Sequence, residues 1–144
     1  MNDKALNLLG LMRKASSIAL GEDNAGDAVR DGKAKLLLLA SDASENAVKR
    51  AAGYASGRSV LTVPLPYTKE EIASAVGVGG CSMAAVTDMG FANALMELLS
   101  AARPEVYSEL AGETRARLDR TKRRKAEKRK SESDKRNQTR RTDI

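Results

Sequence analysis

Three aspartates follow a glycine turn near the N-terminal end of the chain. The apolar segment IAL (18–20) leads into Gly21, and Asp23, Asp27 and Asp31 then recur at every fourth residue. A glycine at a strand-to-helix turn presents backbone N–H groups to anions, but three carboxylates on the same helix disfavour a simple phosphate cradle. Carboxylates about 6 Å apart along a helix form only a loose cage for Mg²⁺. We therefore expect a solvated acidic face and no metal.

The sequence offers no conventional catalytic pair. It contains one cysteine, Cys81, and no histidine, so it has neither a Ser–His nor a Cys–His pair. A lone cysteine is most often a small core residue, and it fits a reducing compartment. The glycines of the segment GVGG (77–80) follow a helical pattern and precede a strand, whereas phosphate loops need the opposite order. We expect a non-enzymatic, cytoplasmic protein without a cofactor.

The basic charge is concentrated in the last quarter of the chain. Residues 113–144 carry fourteen Lys or Arg against six Asp or Glu, whereas the first 112 residues carry eleven against thirteen. Such clusters are typical of arms that neutralise phosphates, although a tail that serves only solubility is an alternative. The tail has no aromatic residue for base stacking, so any contact with nucleic acid should be independent of base sequence. The expected phosphate contacts are Lys122, Arg123, Arg124, Lys125, Lys128, Arg129 and Lys130.

Helical and strand patterns alternate over the first hundred residues. The run LLLL (36–39), framed by turn residues, indicates a strand buried on both faces, although a helix is an alternative. Alternating elements predict an α/β sheet covered on both sides, in a domain of residues 1–102. Residues 103–144 should form a basic tail that is partly helical and then disordered. No large apolar residue lies between Arg120 and the terminal Ile144, so this part cannot bury a core. No window has the ~18 apolar residues of a membrane span. The predicted helices are 3–14, 22–31, 45–56, 69–76 and 91–99, and the predicted strands are 18–20, 35–40, 60–63 and 83–87.

Several sequence blocks occur in the order of a known family. The blocks LNLLGLMRKA, GKAKLLLLASDAS and AVTDMGFA, with Gly21 and Gly32 eleven residues apart, extend from Leu6 to about Leu99. They resemble the kink-turn RNA-binding superfamily of small ribosomal proteins (the seven-Ae/thirty-e type), most closely its short bacterial YlxQ-type members. The resemblance implies a three-layer α/β/α sandwich with a four-stranded mixed sheet. It also implies RNA binding by three neighbouring segments.

The three implied RNA-binding segments are the turn and start of the second helix, the loop after the leucine strand, and the loop before the last strand. In the family, helix N–H groups, Asn and Glu side chains, a guanine-binding Lys and a short apolar loop make the contacts. The corresponding residues here are Gly21, Glu22, Asp23, Asn24, Asp27, Ser41, Asp42, Gly77, Val78, Gly79 and Gly80. We expect Lys33 and Lys35 to help position the RNA.

The Gly21 turn departs from the family pattern Gly-x-Asn-Glu-x-x-Lys. The sequence GEDNAGD (21–27) interchanges the amide and the carboxylate, and Asp27 stands where the family has lysine. A carboxylate accepts from a base amino group but cannot donate to guanine O6 or N7. Guanine recognition should therefore be weakened while the fold is retained.

Two functions from different classes follow from these observations. The first is a monomeric, non-enzymatic RNA-binding protein, ribosomal or ribosome-associated, that contacts structured RNA, with ribosomal RNA as the expected partner and phosphate affinity supplied by the tail. The alternative is a protein-interaction module of the translation machinery, with a degenerate RNA site and an acidic helix that docks a basic ribosomal protein or assembly factor. Neither function involves a membrane.

Overall fold

The computed structural model describes residues 3–79 and 81–142, with side chains as far as residue 132. Six helices and four strands lie in this described part of the chain. None of its helices combines the length and the apolarity needed to cross a membrane. The elements are α1 (Lys4–Lys14), β1 (Ile18–Leu20), α2 (Glu22–Arg30), β2 (Leu36–Leu39), α3 (Glu45–Ala55), β3 (Leu61–Pro64), α4 (Lys69–Val76), β4 (Met83–Val86), α5 (Met89–Ala102) and α6 (Pro104–Thr142).

The four strands form one mixed sheet in the order β1-β4-β2-β3. Strands β2 and β3 are parallel, whereas β4 is antiparallel to both of its neighbours. The parallel pair is joined by a helical crossover, α3, as parallel strands require. The mixed four-stranded sheet predicted from the sequence is thereby confirmed.

The leucine strand β2 is buried on both faces of the sheet. Leu36 and Leu38 belong to a core formed with α1, α4 and α5, and Leu37 and Leu39 belong to a second core formed with α2 and α3. Each of the four leucines is at most 7% exposed. Since successive side chains of a strand point to opposite faces, this division places helices on both sides of the sheet. The structure therefore has the three layers that were predicted, and the helical alternative for this segment is wrong.

The two ends of the sheet carry different loops. At one end, β1 and β2 finish and β4 begins, since Leu39 pairs with Met83; we call this the Gly21 end. At the other end β2 begins, and the backbone N–H of Lys35 donates to the carbonyl of Val86 at 2.7 Å; we call this the Lys35 end. Helix α2 runs from the first end to the second.

Helix α5 is longer than its apolar pattern predicts. The structure extends it from Met89 to Ala102, beyond the predicted range of 91–99. Its start is fixed by the Asp88 carboxylate, which accepts a hydrogen bond from the backbone N–H of Phe91 at 2.8 Å. An aspartate at this position satisfies one of the free N–H groups of the first turn.

Helix α6 packs against α5 and continues to Thr142. Lys and Arg are frequent in this helix beyond Arg120, and both are good helix formers. The residue that anchors it is Tyr107, which is 2% exposed and donates its hydroxyl to the carbonyl of Pro64 at 2.5 Å. Thr114, about two helical turns after Tyr107, is fully buried. Val106, one residue before Tyr107, faces solvent and is 50% exposed.

We predict that Tyr107→Ala lowers the free energy of unfolding by about 3–5 kcal/mol, the usual cost of truncating a buried aromatic side chain. Val106→Ala, one residue earlier on the same helix, should change it by less than about 0.5 kcal/mol, because Val106 faces solvent. Urea unfolding followed by circular dichroism measures both values. Equal effects of the two substitutions would contradict the packing of α6 described above.

Candidate RNA interface

The turn between β1 and α2 requires glycine. Gly21 has φ 94° and ψ 160°, a backbone conformation that is essentially restricted to glycine. Its N–H donates to the carbonyl of Met83 at 2.9 Å, which ties the turn to the first residue of β4. Gly21 has no side chain to cap α2, so the first N–H groups of the helix face outward from the Gly21 end. A helix start of this kind attracts negative groups.

Asn24 fixes the first turn of α2 onto the end of β1. Its side-chain Nδ2 donates to the carbonyl of Leu20 at 2.8 Å. The residue is exposed, and the bond keeps its amide group beside the turn. An amide held in this way can present both a donor and an acceptor to a base edge.

Glu22 connects α2 to two other segments. Its carboxylate accepts from Arg50 of α3 at 2.7 Å and from the hydroxyl of Ser82, just before β4, at 3.3 Å. The side chain of Glu22 is 28% exposed, whereas that of Arg50 is 59% exposed. This carboxylate is therefore held in place and paired with a positive charge. Arg50 is a site residue that sequence reasoning missed, because 28 positions separate it from Glu22.

The loop after β2 lies at the same end of the sheet. The backbone N–H of Ala40 donates to the carbonyl of Ser82 at 2.9 Å, and that of Ser41 donates to the carbonyl of Tyr67 at 2.7 Å. Asp42 accepts from the backbone N–H of Lys69, the first residue of α4, at 2.8 Å. Ser41 and Asp42 are exposed, so the structure places them at the Gly21 end, where the predicted interface lies.

The loop before β4 has an ordered start. Gly77 ends α4 in the left-handed conformation, with φ 76°, and Arg13 of α1 donates to the carbonyl of Val76 beside it. Val78 is half-buried against the core, and Gly79 is exposed. Gly80, the remaining predicted contact in this loop, lies outside the residues that the structure describes.

Cys81 lies beneath this loop and is 3% exposed. Burial raises the pKa of its thiol, and the positive charge of Arg13 only partly opposes this. A buried, protonated thiol is unreactive, which supports the structural role expected from the sequence. Within the described residues, no group of three or more His, Cys, Asp or Glu is placed to hold a metal ion.

Lys33 and Lys35 lie away from the Gly21 turn. Both follow the C-terminal end of α2, and nine residues of helix separate them from the turn by about 13 Å. The sequence suggested that they position RNA together with Gly21. The structure does not bring them to that surface, because β2 begins at the end of the sheet opposite to the one at which β1 finishes.

The acidic face of α2 is exposed and partly neutralised. Asp23, Asp27 and Asp31 all face solvent, as expected. Asp27 forms an ion pair with Arg30 one turn later, and this hydrogen bond raises the pKa of the guanidinium. The same guanidinium lies 5.8 Å from the centre of the Tyr54 ring. Asp27 therefore carries its own counter-charge.

The predicted phosphate contacts of the tail lie on α6. All seven of them, from Lys122 to Lys130, are exposed along the helix. Because they are exposed, packing does not fix these side chains in one orientation. Such groups suit non-specific contact with phosphates.

Comparison with known proteins assigns the chain to a family. Residues 3–96 match the family described as "Ribosomal protein L7Ae/L30e/S12e/Gadd45 family". The chain belongs to this family. The match covers the sheet and helices α1 to α4, together with the first half of α5, and it confirms the resemblance that the sequence blocks indicated.

Two relatives and two solved structures extend the comparison of this L7Ae-family domain. The chain is 38% identical over 96 residues to the RNA-binding protein YlxQ of Bacillus subtilis, covering 64% of this chain and 91% of that protein. It is 33% identical over 96 residues to the RNA-binding protein YlxQ of Enterococcus faecium, covering 67% of this chain and 91% of that protein. A Bacillus halodurans protein of unknown function has a TM-score of 0.63 at 26% identity, covering 69% of this chain and 99% of that one. The Giardia lamblia 15.5 kDa RNA-binding protein, at 20% identity and a TM-score of 0.54, shares the fold over 70% and 89% of the two chains.

One close packing contact between α2 and α3 was not predicted from the sequence. Gly26 of α2 is buried, and a Cβ added there would lie only 2.6 Å from the Tyr54 ring of α3. The two helices therefore approach closely because position 26 has no side chain. The contact supports the Glu22–Arg50 pair, which joins the same two helices.

We predict that Gly26→Ala destabilises the fold by about 1–3 kcal/mol, because the added methyl group overpacks against Tyr54. Gly53→Ala in α3 is the matched control: an added Cβ there has no neighbour within 4 Å, so the better helix propensity of alanine should stabilise the protein by about 0.5–1 kcal/mol. Thermal unfolding of both variants measures the difference in sign. A stabilising Gly26→Ala would show that α2 and α3 are not closely packed.

Proposed function

We propose that this protein binds structured RNA at the Gly21 end of the sheet. The observation that carries the proposal is the convergence of three sequence-distant segments there: the start of α2, the loop after β2 and the loop before β4. The Ser82 hydroxyl donates to Glu22 at 3.3 Å, and the backbone N–H of Ala40 donates to the carbonyl of Ser82 at 2.9 Å, so Ser82 joins all three segments. The two YlxQ relatives named as RNA-binding proteins support the same reading.

The electrostatics of this surface are compatible with a polyanion. Glu22 is paired with Arg50, and Asp27 is paired with Arg30, so two of the three carboxylates nearest the turn carry counter-charges. The helix start contributes a partial positive charge. The same pairing disfavours the alternative of an acidic helix that docks a basic protein, since paired carboxylates attract a partner less strongly.

The finer proposal concerns the type of RNA. We propose that the protein is ribosomal or ribosome-associated and that it binds a folded ribosomal RNA of the kink-turn type as a non-enzymatic cytoplasmic monomer; membership of the family supports this proposal. The exposed side chains of Asp23, Asn24 and Asp27 stand at the positions that read bases in the family pattern. Base contacts set specificity, whereas phosphate contacts set position. Replacing the residues at these positions should therefore change which RNA is preferred.

The first test restores the family pattern at the turn. The triple change Asp23→Asn, Asn24→Glu and Asp27→Lys should strengthen binding to a kink-turn RNA by about 1–3 kcal/mol, the value of one regained base contact. Binding to plain duplex RNA should be strengthened much less. Fluorescence anisotropy titrations with both RNAs measure the gain.

The control variant is Asp31→Lys, which changes the net charge by the same amount on the same helix. Asp31 lies at the C-terminal end of α2, away from the turn, so this variant should strengthen binding to both RNAs equally. If the triple variant also improved both RNAs equally, removal of negative charge alone would explain it. The proposed base-reading role would then be wrong.

The second test removes the basic clusters of α6. A chain that ends at Thr121 lacks eleven basic and four acidic residues but keeps Tyr107, Thr114 and Arg117. If the tail neutralises about 4–6 phosphates, log affinity plotted against log salt should have a slope of about −3 to −5 for the full chain. The shortened chain should bind more weakly with a much flatter slope, while its preference among RNAs persists.

This experiment compares salt titrations of the two chains, with circular dichroism as the check on folding. Ending the chain at Thr121 preserves the buried contacts of α6, because the fully buried Thr114 and the bond from Arg117 to the carbonyl of Ser59 remain. An unchanged slope would show that the tail does not contact phosphates. It would leave solubility as the function of the tail.

A further inference from the structure

A basic cleft lies at the Lys35 end of the sheet, opposite the proposed interface. Its cavity volume is about 590 Å³, and it lies between the segment after α2, the loop before β3 and one face of α6. These three segments are far apart in sequence, so no local pattern indicates the cleft. Its charged lining residues are Lys35, Arg58, Glu113, Arg117, Arg120 and Arg124.

The cleft carries a strong positive charge. Five of its lining side chains are cationic and one, Glu113, is anionic, although the first 112 residues of the chain have a negative balance. The fold therefore brings cations that precede α6 and cations of α6 itself together around one concave surface. A concave surface lined by one sign of charge concentrates oppositely charged ligands.

Several of these side chains are held in place. Arg117 binds Glu113 through Nε at 3.0 Å and also donates to the carbonyl of Ser59, and its side chain is only 26% exposed. Arg120 lies 3.4 Å from the same Glu113 carboxylate. Arg58 donates to the carbonyl of Val29 at 3.3 Å. Since a guanidinium has five N–H donors, each of these arginines keeps donors for a ligand.

The lining chemistry favours phosphate groups over bases. No aromatic ring is among the described residues that line the cleft, so it offers no surface for stacking. The α6 cations of the lining, from Arg117 to Arg124, extend over about 10 Å along the helix axis. Such a row of cations can contact more than one phosphate of a backbone.

We propose that the basic cleft is a second RNA-contact site, which binds the phosphodiester backbone and is separate from the Gly21 end. This inference rests on the proposed RNA-binding function. Because α2 separates the two sites, the Gly21 end would select the RNA structure while the cleft binds a neighbouring segment of backbone. Specificity and phosphate affinity would then belong to opposite ends of one sheet.

The test neutralises the two cleft cations that lie outside α6, Lys35 and Arg58, and leaves α6 intact. Lys35→Gln with Arg58→Gln should weaken binding of plain duplex RNA at least about tenfold at ~0.1 M salt and flatten the salt slope by about two, one per lost phosphate contact. The matched control is Lys4→Gln with Lys14→Gln, which removes two exposed lysines of α1. We expect this control to change the slope by much less.

The outcomes separate this proposal from the proposed function. Wild-type protein without measurable affinity for any RNA would refute the proposed function itself. If the wild-type protein binds RNA and the cleft and control double variants weaken that binding equally, the cleft proposal alone is refuted. Should the cleft pair unfold the chain, as judged by circular dichroism, Arg120→Gln with Arg124→Gln supplies the same comparison from exposed positions of α6.

A further titration distinguishes the source of the phosphate. Inorganic phosphate and tripolyphosphate are added to the full chain, and their binding is followed by calorimetry and by competition with duplex RNA. Weak binding that RNA displaces supports a backbone site. Tight, saturable binding of either small anion that RNA does not displace would overturn the RNA assignment, because the cleft would then be a site for a small phosphate ligand.

Discussion

The burial of β2 on both faces is the constraint from which the remaining architecture follows. Four consecutive leucines cannot be shielded by one layer, because alternate side chains point to opposite faces. Leu36 and Leu38 therefore require α1, α4 and α5, and Leu37 and Leu39 require α2 and α3. With both faces covered, only the two ends of the sheet remain for polar chemistry. The loops that could contact RNA are collected there.

The two ends differ in the groups that they present. The Gly21 end offers the start of a helix, the side-chain amide of Asn24 bonded to the carbonyl of Leu20, and carboxylates paired with arginines. The Lys35 end offers a concave surface lined by five cations and one anion. Hydrogen-bonding groups that can read base edges and cations that neutralise phosphates are thus separated by the length of α2. Under the proposed function, this separation would allow affinity and specificity to vary independently.

Helix α6 joins the basic tail to the domain. Its first turns are anchored by Tyr107 and Thr114, both buried, and its next turns add cations to the Lys35 end. Part of the positive charge that the sequence concentrates in its last quarter therefore lies beside Lys35 and Arg58 in the cleft. Removing α6 entirely would alter the core as well as the charge, and this is why Thr121 is the informative position at which to end the chain.

The sequence by itself determined the elements, the sheet class and the family. Periodicity, capping residues and the leucine run are local signals, and each reports directly on backbone preference or on burial. Only the tertiary structure decided which distant residues meet. The Glu22–Arg50 pair, the close approach of Gly26 to Tyr54 and the basic cleft all join elements whose spacing has no sequence period. For the same reason Lys33 and Lys35 could be proposed as site residues from the sequence but not placed. Their position depends on the end of the sheet at which β2 begins, and the direction of β2 relative to its neighbours fixes that end.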